Sequence, residues 1–260
     1  MKHNALTNSS PCSLLQRWTR NLGIGIACFC ASGLAQADIY IETTRVVYPE
    51  SRREVSFKII NSSKEKASFV QMWLDDGNPA ALPEDVVTPF NLSPPIAQLK
   101  ATATQVVRLV YTGEPLPADR ESIFYFNMLE LPPKSKEENK LSFAVRTRIK
   151  VFFRPKALRG DPVSQMDKVT WTLVKQGNSL VAEGNNPTPY HLSFFSVTPG
   201  TKNALDKPVD GGMLPPMGKT SVPLGEANQW AGKIPNQLKV EFINDFGGAS
   251  PMTFDMATAP

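Results

Sequence analysis

Few residues in this chain are of a type and spacing that could do chemistry. Cys12, Cys28, Cys30 and His3 all fall within the first 37 residues, so the rest of the 260-residue chain has no cysteine and one histidine, His191. That excludes disulfide scaffolds, thiol nucleophiles and Cys/His metal sites from the body. His191 stands in Thr188-Pro-Tyr-His-Leu-Ser-Phe, at a strand start with no nucleophile motif and no G-x-S-x-G beside it, which makes it a structural or surface histidine. The acid pairs Asp75-Asp76 and Glu137-Glu138 lie in turn-like polar runs and read as solvated loops. Gly212-Met-Leu-Pro-Pro-Met-Gly218-Lys219-Thr220 imitates a phosphate loop, but it has five spacers and two prolines where backbone N–H groups should point at phosphate. No enzyme, cofactor or metal site is expected.

Charge and leader define the setting. Lys2, Arg17 and Arg20 are the only formal charges in residues 1–37, so of the chain's 28 basic residues 25 remain beyond them, against 24 acidic ones. A nucleic-acid binder relying on phosphate neutralisation would carry a larger excess. Residues 22–35 form an apolar run that follows the two arginines and ends at Ala35-Gln36-Ala37. This pattern predicts a secretory signal over 1–37, cut after Ala37. The run is shorter than the ~20 residues that span a bilayer, and no later one is longer, so a soluble exported protein without membrane insertion is expected.

The remaining elements are strands. The chain has 23 prolines, spread along its length, and short alternating runs bounded by Pro, Gly, Asn or Asp recur without any sustained helical repeat. Strands are expected near 38–47, 53–61, 67–75, 104–112, 121–131 and 141–153, then near 167–175, 178–183, 190–197, 219–224 and 237–243. This spacing predicts an all-β chain of two immunoglobulin-like antiparallel sandwiches, 38–156 and 157–260, with residues 154–160 as the hinge. Trp73 suits the buried tryptophan of such a sandwich, or any core tryptophan.

One strand is unusual. In Leu141-Ser-Phe-Ala-Val-Arg-Thr-Arg-Ile-Lys-Val-Phe-Phe153 the odd positions are apolar except Thr147, while Arg146, Arg148 and Lys150 occupy even ones. The alternation would cover roughly 40 Å at ~3.3 Å per residue, more than a typical strand of ~5–6 residues. Two readings stand. An edge strand can carry charges that discourage aggregation, or the strand can offer its apolar row to another protein by strand addition.

A resemblance bears on that choice. Leu116-Pro-Ala-Asp-Arg-Glu-Ser-Ile-Phe-Tyr-Phe-Asn-Met-Leu-Glu-Leu-Pro-Pro133 resembles the signature of the periplasmic chaperones of the chaperone/usher pathway, which assemble pili. Thr44-Arg45-Val46, Thr147-Arg-Ile-Lys150, Phe153-Arg-Pro155, Asn186-Pro-Thr-Pro-Tyr190 and Ile243-Asn-Asp-Phe-Gly247 extend the likeness in order along the chain. It implies two immunoglobulin-like sandwiches set in an L or boomerang around a cleft. Arg45 and Lys150 match the family's pair that grips the C-terminal carboxylate of a pilus subunit. Leu141, Phe143 and Val145 match the donor row that fills the groove left by the subunit's missing strand, with Phe143 aromatic where an aliphatic residue is usual. Glu121, Arg154 and Asp245 match a cluster joining the two domains. The short loop Lys134-Ser-Lys-Glu-Glu-Asn-Lys140 resembles the short-loop subclass. The partners implied are pilus subunits, an outer-membrane usher and, for the free protein, a homodimer capped through its donor strands. The alternative is a structural pilus subunit or adhesin of the same fold, which fits Asp38-Ile-Tyr-Ile poorly because a strand begins there at once.

Overall fold

In the computed structural model, residues 39–131, 143–201, 204–230 and 234–258 are described. The proposed leader, the loop at 134–140 with Glu137-Glu138, and Leu141 lie outside them. Among the described residues the regular structure is β apart from two short 3-10 turns, Val163–Lys168 and Ala227–Trp230, and it builds two immunoglobulin-like sandwiches, each from two sheets.

The first comprises β1 (Ile39–Ile41), β2 (Arg45–Pro49), β3 (Val55–Asn61), β4 (Ser68–Asp75), β5 (Phe90–Ser93), β6 (Ile96–Leu99), β7 (Thr104–Tyr111), β8 (Ser122–Leu131) and β9 (Val145–Arg154). Its sheets run β1-β3-β7-β5 and β2-β9-β8-β4-β6. Alternate residues of the facing sheets, among them Ile59, Val107 and Leu109 against Val70, Met72, Phe126, Met128 and Val151, make one closed core.

The second comprises β10 (Thr170–Gln176), β11 (Ser179–Asn186), β12 (Leu192–Thr201), β13 (Ala204–Leu205), β14 (Val209–Leu214), β15 (Gly218–Glu226), β16 (Gln237–Ile243), β17 (Ala249–Asp255) and β18 (Ala257–Thr258). Its core gathers around Trp171, Tyr190, Leu192, Phe194, Leu238, Val240 and Phe242. The imitation phosphate loop is the β14–β15 connection, which crosses from the sheet where β14 pairs with β12 to the one where β15 pairs with β11.

Three differences from the expected strands have physical causes. The single strand expected at 38–47 is two: β1 pairs with β3, whereas β2 lies in the other sheet, parallel to β9. Between them the Thr43 hydroxyl donates to the Arg45 carbonyl at 2.6 Å, fixing the crossing. A fully antiparallel arrangement is therefore not what forms, since β10 also pairs parallel with β18. β5 and β6 escape a reading by alternation because prolines punctuate 88–95, yet both are edge strands, where a missing N–H costs no ladder bond. β14 is hidden by Gly211 and Gly212, and a Cβ at Gly211 would strike the Phe194 carbonyl, so only glycine lets β14 approach β12.

The stretch expected as a hinge is tied on both sides. Lys156 N donates to Glu50 Oε2 at 2.9 Å, and Tyr190 Oη donates to the carbonyls of Arg159 and Gly160 at 3.0 and 3.2 Å.

Trp73 is buried, but on the other face of β4 from Val70, Met72 and Leu74, so it is not a core tryptophan. Arg146 lies 4.9 Å from its ring centre. Asp75 is not a solvated turn residue either. It is fully buried and bonded by Arg148 and Asn127, because β4 carries it onto the face where β9 places its arginines.

Candidate functional site

β9 is not an edge strand over its whole length, and this decides what it can do. On one side β8 pairs with it from Val145 to Phe153. On the other, β2 pairs with it only from Lys150 to Arg154. Among the described residues nothing pairs with the second edge over 145–149, so that edge offers unpaired backbone groups, ready for another strand.

Side chains change character along the same line. Val151 and Phe153 are fully buried in the core. Continuing backwards on their face, Ile149 and Thr147 are half-buried, Val145 is 45% exposed, and Phe143, just ahead of the strand, is 72% exposed. An apolar row thus leaves the sandwich and meets solvent where the edge is open. Leu141, the third residue of the expected donor row, lies outside the described residues.

The open edge ends at two cations. Arg45, the first residue of β2, is directly opposite Lys150 in the parallel register. Arg45 is buried, its Nη1 donates to the Ile243 carbonyl at 3.1 Å, its Nε has no hydrogen-bond partner, and its guanidinium lies 5.9 Å from the ring centre of Phe152. Lys150 Nζ donates to Ser193 Oγ at 2.9 Å. Among the described residues no carboxylate forms an ion pair with either. Burial and the neighbouring Arg45 charge push Lys150 down to about 8. Burial also lowers Arg45, with partial compensation from the charges of Asp245 and Glu121. Two like charges held together in a desolvated site favour the entry of an anion.

Both cations are tethered to the second sandwich, and a third group joins the halves. Arg154 Nε donates to Glu121 Oε1 at 2.8 Å, while Nη1 and Nη2 donate to Asp245 Oδ2 and Oδ1 at 2.8 and 3.0 Å. Burial works to lower Arg154, but the bonds to Asp245 and the charges of Glu121 and Asp245 outweigh it, so its pKa is raised. Glu121 Oε2 accepts from the backbone N–H of His191 at 2.9 Å, and Glu121 N donates to the Pro189 carbonyl. Asp245 sits in the tight turn after β16, where Gly247 at φ +84° abuts Thr44, leaving no room for a Cβ.

The structure therefore brings together Arg45 with Lys150, and Glu121 with Arg154 and Asp245. It leaves Phe143 and Val145 exposed in one row. Ser193 and the Ile243 carbonyl, which contact Lys150 and Arg45, are not among the site residues expected from the sequence. Ile243 opens a motif visible in the sequence, whereas a lone serine on a strand gives no signal. Among the described residues no group of three or more His, Cys, Asp or Glu side chains could hold a metal ion.

Comparison with known proteins agrees in both halves. Residues 38–159 match the family described as pili and flagellar-assembly chaperone, PapD N-terminal domain, and residues 164–254 match the pili assembly chaperone PapD, C-terminal domain. A probable fimbrial chaperone, YadV of Escherichia coli (strain K12), is 37% identical over 234 residues, covering 86% of this chain and 92% of its own length. The chaperone protein FimB/FhaD of Bordetella pertussis is 34% identical, covering 91% of this chain and 97% of its own. The crystal structure of the YadV chaperone superposes with a TM-score of 0.69 at 32% identity, covering 84% of this chain and all of that one.

Proposed function

The chain belongs to the family of pili assembly chaperones, and we propose that it captures incomplete pilus subunits by lending them β9 as the strand they lack. The observation that carries this reading is the position of Arg45 and Lys150, two desolvated and unpaired cations at the point where an open strand edge stops.

A subunit that lacks a strand exposes both backbone groups and an apolar groove, and the open stretch of β9 answers both. The subunit's last strand pairs along 145–149, and its terminal carboxylate is held between Arg45 and Lys150. With its terminus at Lys150 and its length running back towards Phe143, that strand must run parallel to β9, in line with β2. Phe143, Val145 and Leu141 then fill the groove. Burying three such side chains contributes roughly 1.5–3 kcal/mol each, against about 1 kcal/mol net for each backbone bond. The apolar row supplies most of the affinity. It does not fix register, because a slip of two residues presents the same face. The carboxylate anchor fixes it through charge-assisted bonds.

In this reading Glu121, Arg154 and Asp245 hold the two sandwiches at the angle the anchor needs, with 38–156 and 157–260 as the domains and 1–37 as the leader that directs export to the periplasm. Delivery of the captured subunit to an outer-membrane usher, membership of the short-loop subclass and capping of the free protein as a homodimer belong to the same reading. No catalysis is involved. A structural pilus subunit is the weaker alternative, since the relatives matched are described as chaperones. Co-expression in the periplasm with fimbrial subunits, followed by affinity purification, tests the proposal: intact subunits should co-purify, and subunits truncated at the C-terminus should not.

A further inference from the structure

The arginines of β9 are not spread into solvent as protective edge charges would be. Arg146 and Arg148 turn onto the outer face of the sheet, where their side chains are 30% and 24% exposed, above a carboxylate that is fully buried. Arg148 grips Asp75 with two nitrogens, Nε donating to Oδ2 at 2.9 Å and Nη2 to Oδ1. Asn127 Nδ2 donates to Asp75 Oδ2 at 2.8 Å, and Asn127 Oδ1 accepts from Arg146 Nε and Nη2 at 3.0 and 2.7 Å. Arg146 Nη1 also donates to the Pro79 carbonyl at 2.6 Å, and Arg148 lies 3.6 Å from the ring centre of Tyr125. The register explains why these groups meet. Asn127 on β8 stands opposite both Trp73 on β4 and Arg148 on β9.

We infer that Asp75 is a positioning residue for the lent strand: through Arg148 and Asn127 it holds the open stretch of β9 extended, so that the apolar row reaches its partner already ordered. This rests on the reading of β9 as the donor strand. A stretch bonded on one edge only would otherwise fray, because each ordered residue costs about 1–2 kcal/mol of backbone entropy. Stability alone is a poor account of the network, since well-packed apolar residues commonly replace buried ion pairs at no loss. The network supplies geometry instead. It anchors side chains from one face of residues 145–149 and keeps both guanidiniums away from the open edge. Burial would push the Asp75 carboxyl up, but the bonds from Arg148, Asn127 and the Gly77 N–H hold it below the usual range, so it keeps the charge that grips Arg148.

The test compares the full-length wild-type protein with Asp75→Asn, Arg146→Ala and Lys150→Ala. In the free proteins, hydrogen exchange is read at the amides in 145–149 that bond to β8 and, as a control, in β10 and β11. Capture is read by diluting a fimbrial subunit, unfolded in guanidinium, into each chaperone. Asp75→Asn should speed exchange at 145–149 by about tenfold with the control unchanged, and should slow association on the order of tenfold while dissociation stays within twofold, as expected for an ordering cost paid before contact. Arg146→Ala should do the same more weakly, and decides the matter if Asp75→Asn does not fold. Wild-type exchange and association in these variants, or a change confined to dissociation, would overturn the inference. If Lys150→Ala captures as well as wild type, the donor reading itself has failed, while the exchange arm still decides whether Asp75 orders the strand.

Discussion

Arg45 and Lys150 stand opposite each other across the parallel pairing of β2 and β9, so one backbone register fixes the separation of the two cations. Their distance from each other is set within the first sandwich, and their direction by the second, through the Ile243 carbonyl and Ser193. The geometry of this cation pair depends on the junction between sandwiches, through the Ile243 carbonyl and Ser193, and neither cation belongs to a hydrophobic core.

Replacing either cation by alanine should weaken subunit capture on the order of 10–100-fold, the loss of a charged hydrogen bond worth about 1.5–3 kcal/mol. Lys150→Ala should leave the melting temperature unchanged or slightly higher, because it removes a desolvated charge. A fall in capture that merely tracks a fall in melting temperature would point to lost folding instead of a lost anchor.

On the proposed anchor, Lys150 should give capture a pH dependence. With its pKa at about 8 in the free protein, affinity should be constant below that pH and decline above it as the lysine loses the proton that binds the carboxylate. Folding stability responds in the opposite sense. The unfolded chain, with an ordinary lysine near 10.5, holds more protons between about pH 8 and 10.5, so this group's contribution to stability rises with pH across that window. Isothermal titration at pH 7 and 9.5 should show tighter binding at pH 7 and proton uptake on binding at pH 9.5. Affinity independent of pH over this range, with no proton uptake, would remove Lys150 from the anchor.

Val145→Asp places a charge where the guest groove should be, while Val145 itself is 45% exposed in the free chain. Folding should therefore be preserved, and capture should fall by at least tenfold, because burying an unpaired carboxylate is costly. Pull-down of a fimbrial subunit at wild-type yield would show that this row is not donated.

Glu121→Ala removes a buried carboxylate from Arg154 and leaves the His191 N–H without its acceptor. Breaking one partner of such a pair typically costs about 3–5 kcal/mol. Guanidinium unfolding should show a loss of roughly that size, and a loss below about 0.5 kcal/mol would mean that the cluster does not hold the junction.

The sequence makes the strands with strict alternation legible, along with the two-sandwich plan, because a period of two requires no knowledge of partners. It leaves β5, β6, β13, β14, β17 and β18 without an expected counterpart; in β5, β6 and β14 prolines and glycines obey edge position and close approach, which only the assembled sheet defines. For the site, Arg45, Lys150, Glu121, Arg154 and Asp245 were reachable through the family resemblance and not through spacing, as Arg154 and Asp245 are far apart in the chain. Asp75 reads as a turn residue because its neighbours Asp76 and Gly77 look like a turn, while the groups that bind it come from β8 and β9. That, among the described residues, β9 is open on one edge for only half its length is a property of where β2 begins.

The most direct measurement is the affinity of the wild-type protein and Lys150→Ala for a synthetic peptide copying a fimbrial subunit's last strand, made as the free acid and as the C-terminal amide. A carboxylate pinned between Arg45 and Lys150 predicts that wild type binds the acid at least tenfold tighter than the amide, and that Lys150→Ala nearly abolishes the difference. Equal binding of acid and amide by the wild type, or an unchanged preference in the variant, would contradict it.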